Sequence, residues 1–361
     1  MNLGLSLLDE LEFARAPMLG RSSQQTSLAP SLVRSMPVSG SQRAIQLRSP
    51  YFIRGLGAAE FGAAWAPLCG ALRRHDIPIF STVKNLAGIP AADAPARWSG
   101  RPFDEPFQSM ELTTAGLFEV SCISRDQRHL KWPGEICPEL IDSLLRSVRA
   151  AAGGDTPVGF NVALGCHPSD LKQCLAADID FISLSCTHAM AATGSQLSHQ
   201  ATSGVAASEV QPHTFLAGDL HSIVLCRQML QQLNRPQLPL LVTAPVIDFE
   251  QAHKLLALGA SAVSLDQIGR QSIALEKRPS KEEEPVPDLP FRLPALPQSA
   301  APAAKRPELP QLENLLKQAR QTLCERLLSV GADNLADFNQ QCLVSISQRA
   351  QRVTGVRRLE L

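Results

Sequence analysis

Short apolar runs alternate with amphipathic stretches between about residue 46 and residue 275. A strand that is buried on both faces is a continuous apolar run, whereas a helix that covers it has apolar residues three and four positions apart. The alternation therefore predicts strand–helix units around a parallel sheet. The predicted strands are residues 51–54, 78–83, 117–123, 158–163, 180–184, 214–217, 239–243 and 262–265. The predicted helices are residues 61–74, 138–152, 169–176, 220–233 and 249–258.

Eight strands with intervening helices are the content of an α/β fold of the (β/α)8 TIM barrel type, and the length of this region suits that fold. We therefore predict a TIM barrel over residues 46–278. An open, doubly wound sheet is the alternative, and it requires that some of the apolar runs are not strands.

The segments on either side of the barrel differ in composition. Residues 1–45 are rich in Ser, Gln and Pro, and predict an N-terminal arm that lies on the barrel. Residues 279–310 contain nine prolines and predict a Pro-rich linker. Residues 311–361 predict a C-terminal helical tail, in which a first helix ends at Gly331 and a second helix covers residues 335–353.

Charge and composition narrow the function classes. Lys and Arg together number 34, and Asp and Glu together also number 34, so the formal net charge is zero. The chain has a single tyrosine. A balanced charge and few stacking side chains argue against a nucleic-acid partner. No apolar run approaches the roughly 18 residues of a membrane span, and the acidic start does not resemble a secretion signal. We expect a cytoplasmic protein with no membrane partner. Nine scattered cysteines without a CxxC pair predict neither disulfides nor a metal site.

The order of segments over residues 158–270 resembles the FMN-binding domain of glutamate synthase. The segments are VGFNVALG, ADIDFISLSCTHAMAATG and LPLLVTAPVIDFEQAHKLLALGASAVSLDQIG. SPYFIRGLGAAEFG resembles the first strand of that family, and AGLFEVSCISRDQRHLKWPGE resembles a later strand with its loop. The resemblance extends to the TGV of the tail, and the ALGASAV segment is its most specific part.

The resemblance implies FMN bound at the carboxyl ends of the strands. In that family FMN relays electrons to make glutamate from 2-oxoglutarate and glutamine-derived ammonia. A nearby iron–sulfur cluster often supplies these electrons. No clustered cysteines follow this barrel, so we expect no iron–sulfur cluster. The residues that the resemblance assigns to the FMN ring and phosphate are Gly55, Asn161, Ser185, Thr243, Ala244 and Asp266.

Several of these positions depart from the family pattern. Ala244 and Pro245 stand where the family has two glycines, and proline has no N–H group for a phosphate. Asp266 would repel a phosphate that it faced. Asn161 and Ser121 replace lysines, whereas Glu119 is retained. The flavin site thus looks degraded, and two hypotheses stay open. The chain is either a divergent flavin oxidoreductase acting on a small molecule, or a cofactor-free pseudoenzyme that attaches to a protein partner through its linker and tail.

Two Cys–His groups also fall after predicted strands. Cys166 and His167 follow the strand at 158–163, and Cys186 and His188 follow the strand at 180–184. Catalytic residues of TIM barrels collect at this end, and a Cys–His pair is a candidate nucleophile. The alternative is that both groups are loop residues without a catalytic role.

Overall fold

Eight parallel strands close into a barrel in the structure, which is a computed structural model. It describes residues 7–14, 34–37, 44–54, 56–81, 86–102, 115–122, 138–151, 156–186, 217–270 and 310–359. The strands of these segments are β1 (Leu11–Phe13), β2 (Arg34–Pro37), β3 (Ala44–Leu47), β4 (Tyr51–Arg54), β5 (Ile79–Phe80), β6 (Arg97–Pro102), β7 (Leu117–Ser121), β8 (Val158–Ala163), β9 (Phe181–Ser185), β10 (Leu240–Thr243), β11 (Ala262–Ser264) and β12 (Leu343–Ser345).

The helices lie between these strands and after them. They are α1 (Ala58–Phe61), α2 (Trp65–Arg74), α3 (Pro138–Ala151), α4 (Pro168–Ala176), α5 (Ala217–Gln232), α6 (Phe249–Ala257), α7 (Pro310–Val330) and α8 (Gln348–Thr354). A further helical segment covers residues 266–270. No helix within the described segments is long and apolar enough to cross a bilayer.

The barrel runs in chain order from β4 to β11 and closes where β11 pairs with β4, with Val263 opposite Tyr51. All of its strand pairs are parallel. This closure confirms the predicted TIM barrel and excludes the open doubly wound sheet. The predicted helices at the barrel's surface are confirmed as α2, α3, α4, α5 and α6.

One predicted strand is wrong and one barrel strand was not predicted, so the count of eight strands is unchanged. The third barrel strand is β6, whose sequence RWSGRP has too few apolar residues to be recognised as a strand. The predicted strand at 214–217 is not a barrel strand, because β9 pairs directly with β10 and Ala217 begins α5. Residues 214–216 themselves lie outside the described residues.

Side chains alternate between the two faces of the barrel strands. One face packs under the helices, and the other forms an apolar floor inside the barrel. Phe52, Phe80 and Trp98 form the centre of this floor, with ring centroids 5.0 to 5.6 Å apart. Leu47 of β3 packs against the same cluster. The floor lies toward the amino ends of the strands, so the remaining interior positions lie toward their carboxyl ends.

The first predicted helix of the tail is confirmed as α7, whereas the predicted second helix over residues 335–353 is wrong. The apolar positions of α7 are buried, and Gly331 follows it with a φ of 77°. Beyond it, residues 343–345 form β12, which pairs antiparallel with β1 so that Leu11 lies opposite Ser345. Ser347 then caps α8 by accepting a hydrogen bond from the Ala350 N–H. The polar residues at these breaks interrupt the predicted second helix. The pairing also makes residues 11–13 of the predicted arm part of a small sheet.

Candidate functional site

A buried ion pair crosses the interior of the barrel above the apolar floor. Arg54 Nη1 and Nη2 donate to Glu119 Oε1 and Oε2 at 2.7 and 2.6 Å. The two side chains are 9% and 2% exposed. The pair joins β4 to β7, which are separated by two strands, and the Arg54 guanidinium lies 4.0 Å from the Phe80 ring centroid. Gly100 of β6 makes room for it, since a Cβ there would lie 3.3 Å from Glu119.

Polar side chains from β8, β9 and β10 lie beside one another on the interior face. Ser185 Oγ donates to Asn161 Oδ1 at 2.7 Å, and Ser183 is in register with Asn161. Thr243 is in register with Ser185. These four side chains are nearly or fully buried. We call them, together, the polar layer.

Three atoms of the polar layer lack a hydrogen-bond partner. They are Asn161 Nδ2, Ser183 Oγ and Thr243 Oγ1. Leaving a buried donor or acceptor unpaired costs about 1 to 3 kcal/mol, so such groups are rare in folded proteins. Three of them on adjacent strands, at the end where TIM barrels bind their ligands, indicate a site that hydrogen-bonds a ligand.

Asp266 connects the last barrel strand to the first. Its Oδ1 accepts a hydrogen bond from the Arg54 N–H, and its own N–H donates to Ser264 Oγ at 3.3 Å. The residue is 8% exposed. Burial raises the pKa of the Asp266 carboxyl to about 6, against smaller opposing effects of its hydrogen bonds and of Arg54 and Arg270. The carboxylate is therefore ionised at neutral pH but held there at a cost in stability.

We expect Asp266→Asn to stabilise the protein at neutral pH. A carboxyl pKa raised from 3.8 to about 6 contributes stability that is complete below pH 3.8 and is lost as the pH rises through 6. Asparagine keeps the acceptor for the Arg54 N–H and has no charge to bury. The variant is expected to gain about 2 to 3 kcal/mol in unfolding free energy at pH 7.5 and little at pH 4. Urea denaturation at the two pH values measures this, and an equal gain at both would contradict it.

The turn after β10 uses its own backbone donors. Pro245 has no N–H, the Val246 N–H donates to Ala244 O at 2.8 Å, and the Ile247 N–H donates to Gln251 Oε1 at 3.2 Å. The Ala244 and Val246 side chains are buried in the apolar core under the helices. This turn therefore presents few backbone donors to a ligand.

These contacts allow a test of whether FMN fits the site. TIM barrels that bind a phosphate group often hold it with backbone N–H groups after the seventh and eighth strands. Here those positions follow β10 and β11, where the N–H groups of Val246, Ile247 and Asp266 donate within the protein and the Asp266 carboxylate is buried. The polar layer offers unpaired groups to the polar edge of a ring. The residues present therefore suit a flavin ring but do not fit its phosphate.

The predicted site residues fall into three groups. Asn161, Ser185 and Thr243 are brought together in the polar layer. Ala244 packs away from the barrel interior, and Asp266 bonds to the end of β4 instead of facing an open loop. Gly55 lies outside the described residues. Their roles toward a cofactor stay predictions.

Arg54 and Ser183 were not predicted as site residues. Side chains alternate along the strand Tyr51–Arg54, so Arg54 lies on the same face as Phe52. This alternation is the feature of the sequence that could have placed Arg54 in the barrel interior. Likewise Ser183 and Ser185 alternate along β9. A charged residue at the end of a buried strand indicates an interior partner, but the sequence does not identify Glu119 as that partner.

The described residues of the two Cys–His groups lie in surroundings that do not favour a cysteine nucleophile. His167 caps α4, because its Nδ1 accepts a hydrogen bond from the Ser169 N–H at 3.3 Å. Burial raises the pKa of the Cys166 thiol to about 12, which disfavours a thiolate. Cys186 is buried, and His188 lies outside the described residues. Within the described segments, no group of three or more His, Cys, Asp or Glu side chains could hold a metal ion.

Comparison with known proteins gives a fold likeness. No protein-family model and no curated protein matches the chain. Among solved structures, the flavin-binding domain of baker's yeast flavocytochrome b2 is 10% identical with a TM-score of 0.57, over 93% of this chain and 76% of that one. A mandelate oxidase variant with an FMN adduct is 13% identical with a TM-score of 0.53, over 91% and 86%. A chimera of (S)-mandelate dehydrogenase is 13% identical with a TM-score of 0.54, over 93% and 88%. At these identities the likeness shows the fold alone.

Proposed function

We propose that the carboxyl end of the barrel binds a flavin ring and that the protein is an oxidoreductase. The observation that carries this proposal is the set of unpaired atoms on three adjacent strands, Asn161 Nδ2, Ser183 Oγ and Thr243 Oγ1. The polar edge of a flavin ring alternates carbonyl oxygens and ring nitrogens. An amide donor and two hydroxyl groups, each able to donate or accept, complement such an edge. The fold likeness to enzymes solved with FMN supports the same ligand class.

Each residue of the site then has a distinct task. Asn161 would donate from Nδ2 to the ring, and Ser185 fixes the Asn161 amide by donating to its Oδ1. Ser183 and Thr243 would bond to the same edge of the ring. Arg54 is neutralised by Glu119, so the site holds the ring by hydrogen bonds more than by charge. A flavin that is bound supplies hydride or electron transfer.

The proposed substrate is a small 2-oxo or 2-hydroxy carboxylic acid. Two separate arguments lead to this class. The sequence resemblance implies glutamate formation from 2-oxoglutarate, and solved structures of the same fold include flavocytochrome b2 with pyruvate and mandelate oxidase with (S)-mandelic acid. Glutamate formation itself rests on the sequence resemblance alone.

The test compares two buried threonines. Thr243→Val removes an unpaired hydroxyl of the polar layer, whereas Thr354→Val removes a hydroxyl that donates to Ala350 O at 2.7 Å in α8. Riboflavin affinity is measured by quenching of flavin fluorescence, and stability by urea denaturation. We expect Thr243→Val to weaken riboflavin binding about threefold to tenfold without loss of stability, and Thr354→Val to lose stability without loss of affinity. No riboflavin binding by the wild-type chain, or equal affinity in wild type and Thr243→Val, would contradict the proposal.

A second candidate function is a cofactor-free scaffold. The specific observation in its favour is that the protein's own charged groups, the Arg54–Glu119 pair and Asp266, occupy the interior of the carboxyl end. Such a barrel would act through a protein partner, attached by the linker at 279–310 and the tail at 311–361. It predicts that the wild-type chain binds no flavin at all.

A further inference from the structure

We propose that Asp266 determines the ligand's charge, so that the site takes a flavin without a phosphate group and rejects FMN. This inference rests on the proposed flavin site and specifies its ligand. The Asp266 carboxylate accepts the Arg54 N–H at the junction of β11 and β4. Asp266 itself stands two residues after the end of β11, the eighth barrel strand, so an anionic side chain occupies the place where phosphate-binding barrels present backbone donors to their ligand.

Three backbone N–H groups around Asp266 that could offset the charge of a phosphate are bonded within the protein. The Asp266 N–H is directed to Ser264 Oγ, and the turn after β10 uses the N–H groups of Val246 and Ile247 internally. A phosphate placed there would find these three N–H groups already paired and would face a buried carboxylate. Like charges that are brought together in a poorly solvated site repel each other strongly, because little water is present to screen them.

An uncharged polyol tail suits the same surroundings. The ribityl chain of riboflavin carries hydroxyl groups, which donate hydrogen bonds to a carboxylate as well as accept them. Asp266 is an acceptor at 8% exposure, and a hydroxyl that donates to it replaces water without adding charge. The carboxylate that excludes a phosphate therefore favours a neutral tail.

The experiment measures dissociation constants of the full chain for riboflavin and for FMN at pH 7.5, by flavin fluorescence. The variants are Asp266→Asn, Asp266→Ser in case the first does not fold, and Asp178→Asn as a control. Asp178 is an exposed carboxylate that pairs with Arg149 on the surface. We expect wild type and Asp178→Asn to prefer riboflavin by at least about tenfold. In the Asp266 variants the preference is expected to shrink by about tenfold or more, mainly because FMN binds more tightly.

The outcomes separate this inference from the proposed function. Riboflavin binding with an equal or greater affinity for FMN in wild type would overturn the inference and leave the flavin site intact. An unchanged preference in both Asp266 variants would overturn the role of Asp266. Binding of neither flavin by any variant would overturn the inference together with the flavin site itself.

Discussion

Glu119→Leu is expected to lower the unfolding free energy by about 3 to 5 kcal/mol. Arg54 would then remain charged in the barrel interior, where its side chain is 9% exposed and its bidentate partner is gone. The loss of one partner of a buried ion pair is costly because the other charge keeps its desolvation penalty without compensation. Urea denaturation followed by circular dichroism measures the effect.

The double variant Arg54→Met with Glu119→Leu is the decisive comparison. It removes both charges and fills the space with apolar groups, so most of the lost stability is expected to return. A control comes from Asp178→Ala, which breaks the exposed pair with Arg149 and is expected to cost less than about 1 kcal/mol. Arg54→Met alone completes the cycle, and if the double variant lost as much stability as Glu119→Leu and Arg54→Met added together, the two side chains would not be coupled as a buried pair.

Gly159→Ala is expected to cost about 3 kcal/mol or more, or to prevent accumulation of folded protein. A Cβ at residue 159 would clash with the Phe181 carbonyl oxygen and would lie 2.7 Å from the Phe181 ring. The conflict involves backbone of β9, which is paired with β8, so neither strand can shift without breaking the barrel. Thermal unfolding and soluble yield measure the effect.

Gly116→Ala is the matched control for this glycine. Its Cβ would lie 3.5 Å from the Arg97 carbonyl oxygen, which is an ordinary contact, and we expect less than about 1 kcal/mol. Wild-type stability of Gly159→Ala would mean that β8 and β9 do not pack as closely as the structure describes.

Strands with continuous apolar sequence were predictable, whereas the irregular one was not. YFIR and VGFNVA lie at their predicted positions as β4 and β8. The strand β6, with the sequence RWSGRP, was not predicted because its interior positions include a glycine instead of a run of apolar residues. That residue, Gly100, is small because Glu119 occupies the space beside it. The pairing of β1 with β12 joins the two ends of the described chain, and no local pattern in either segment indicates such a distant partner.

The site was predictable as a set of positions but not as a set of contacts. Resemblance to a flavin-binding family selected three of the four residues of the polar layer, namely Asn161, Ser185 and Thr243, but not Ser183. The ion pair was not predicted, because alternation gives the face of Arg54 but not the partner that lies across the barrel. Asp266 was predicted to repel a phosphate that it faced, which stays a prediction, and the sequence did not indicate its bond to the Arg54 N–H.

The most direct test of the central claim is a visible absorption spectrum after gel filtration. One sample of the full chain is incubated with excess riboflavin and a second with excess FMN, and both are freed of unbound ligand. If the unpaired groups of the polar layer bind a flavin ring as proposed, the buried Asp266 carboxylate predicts a retained flavin band with riboflavin and little or none with FMN. A colourless protein in both samples, or a stronger band with FMN, would contradict the account.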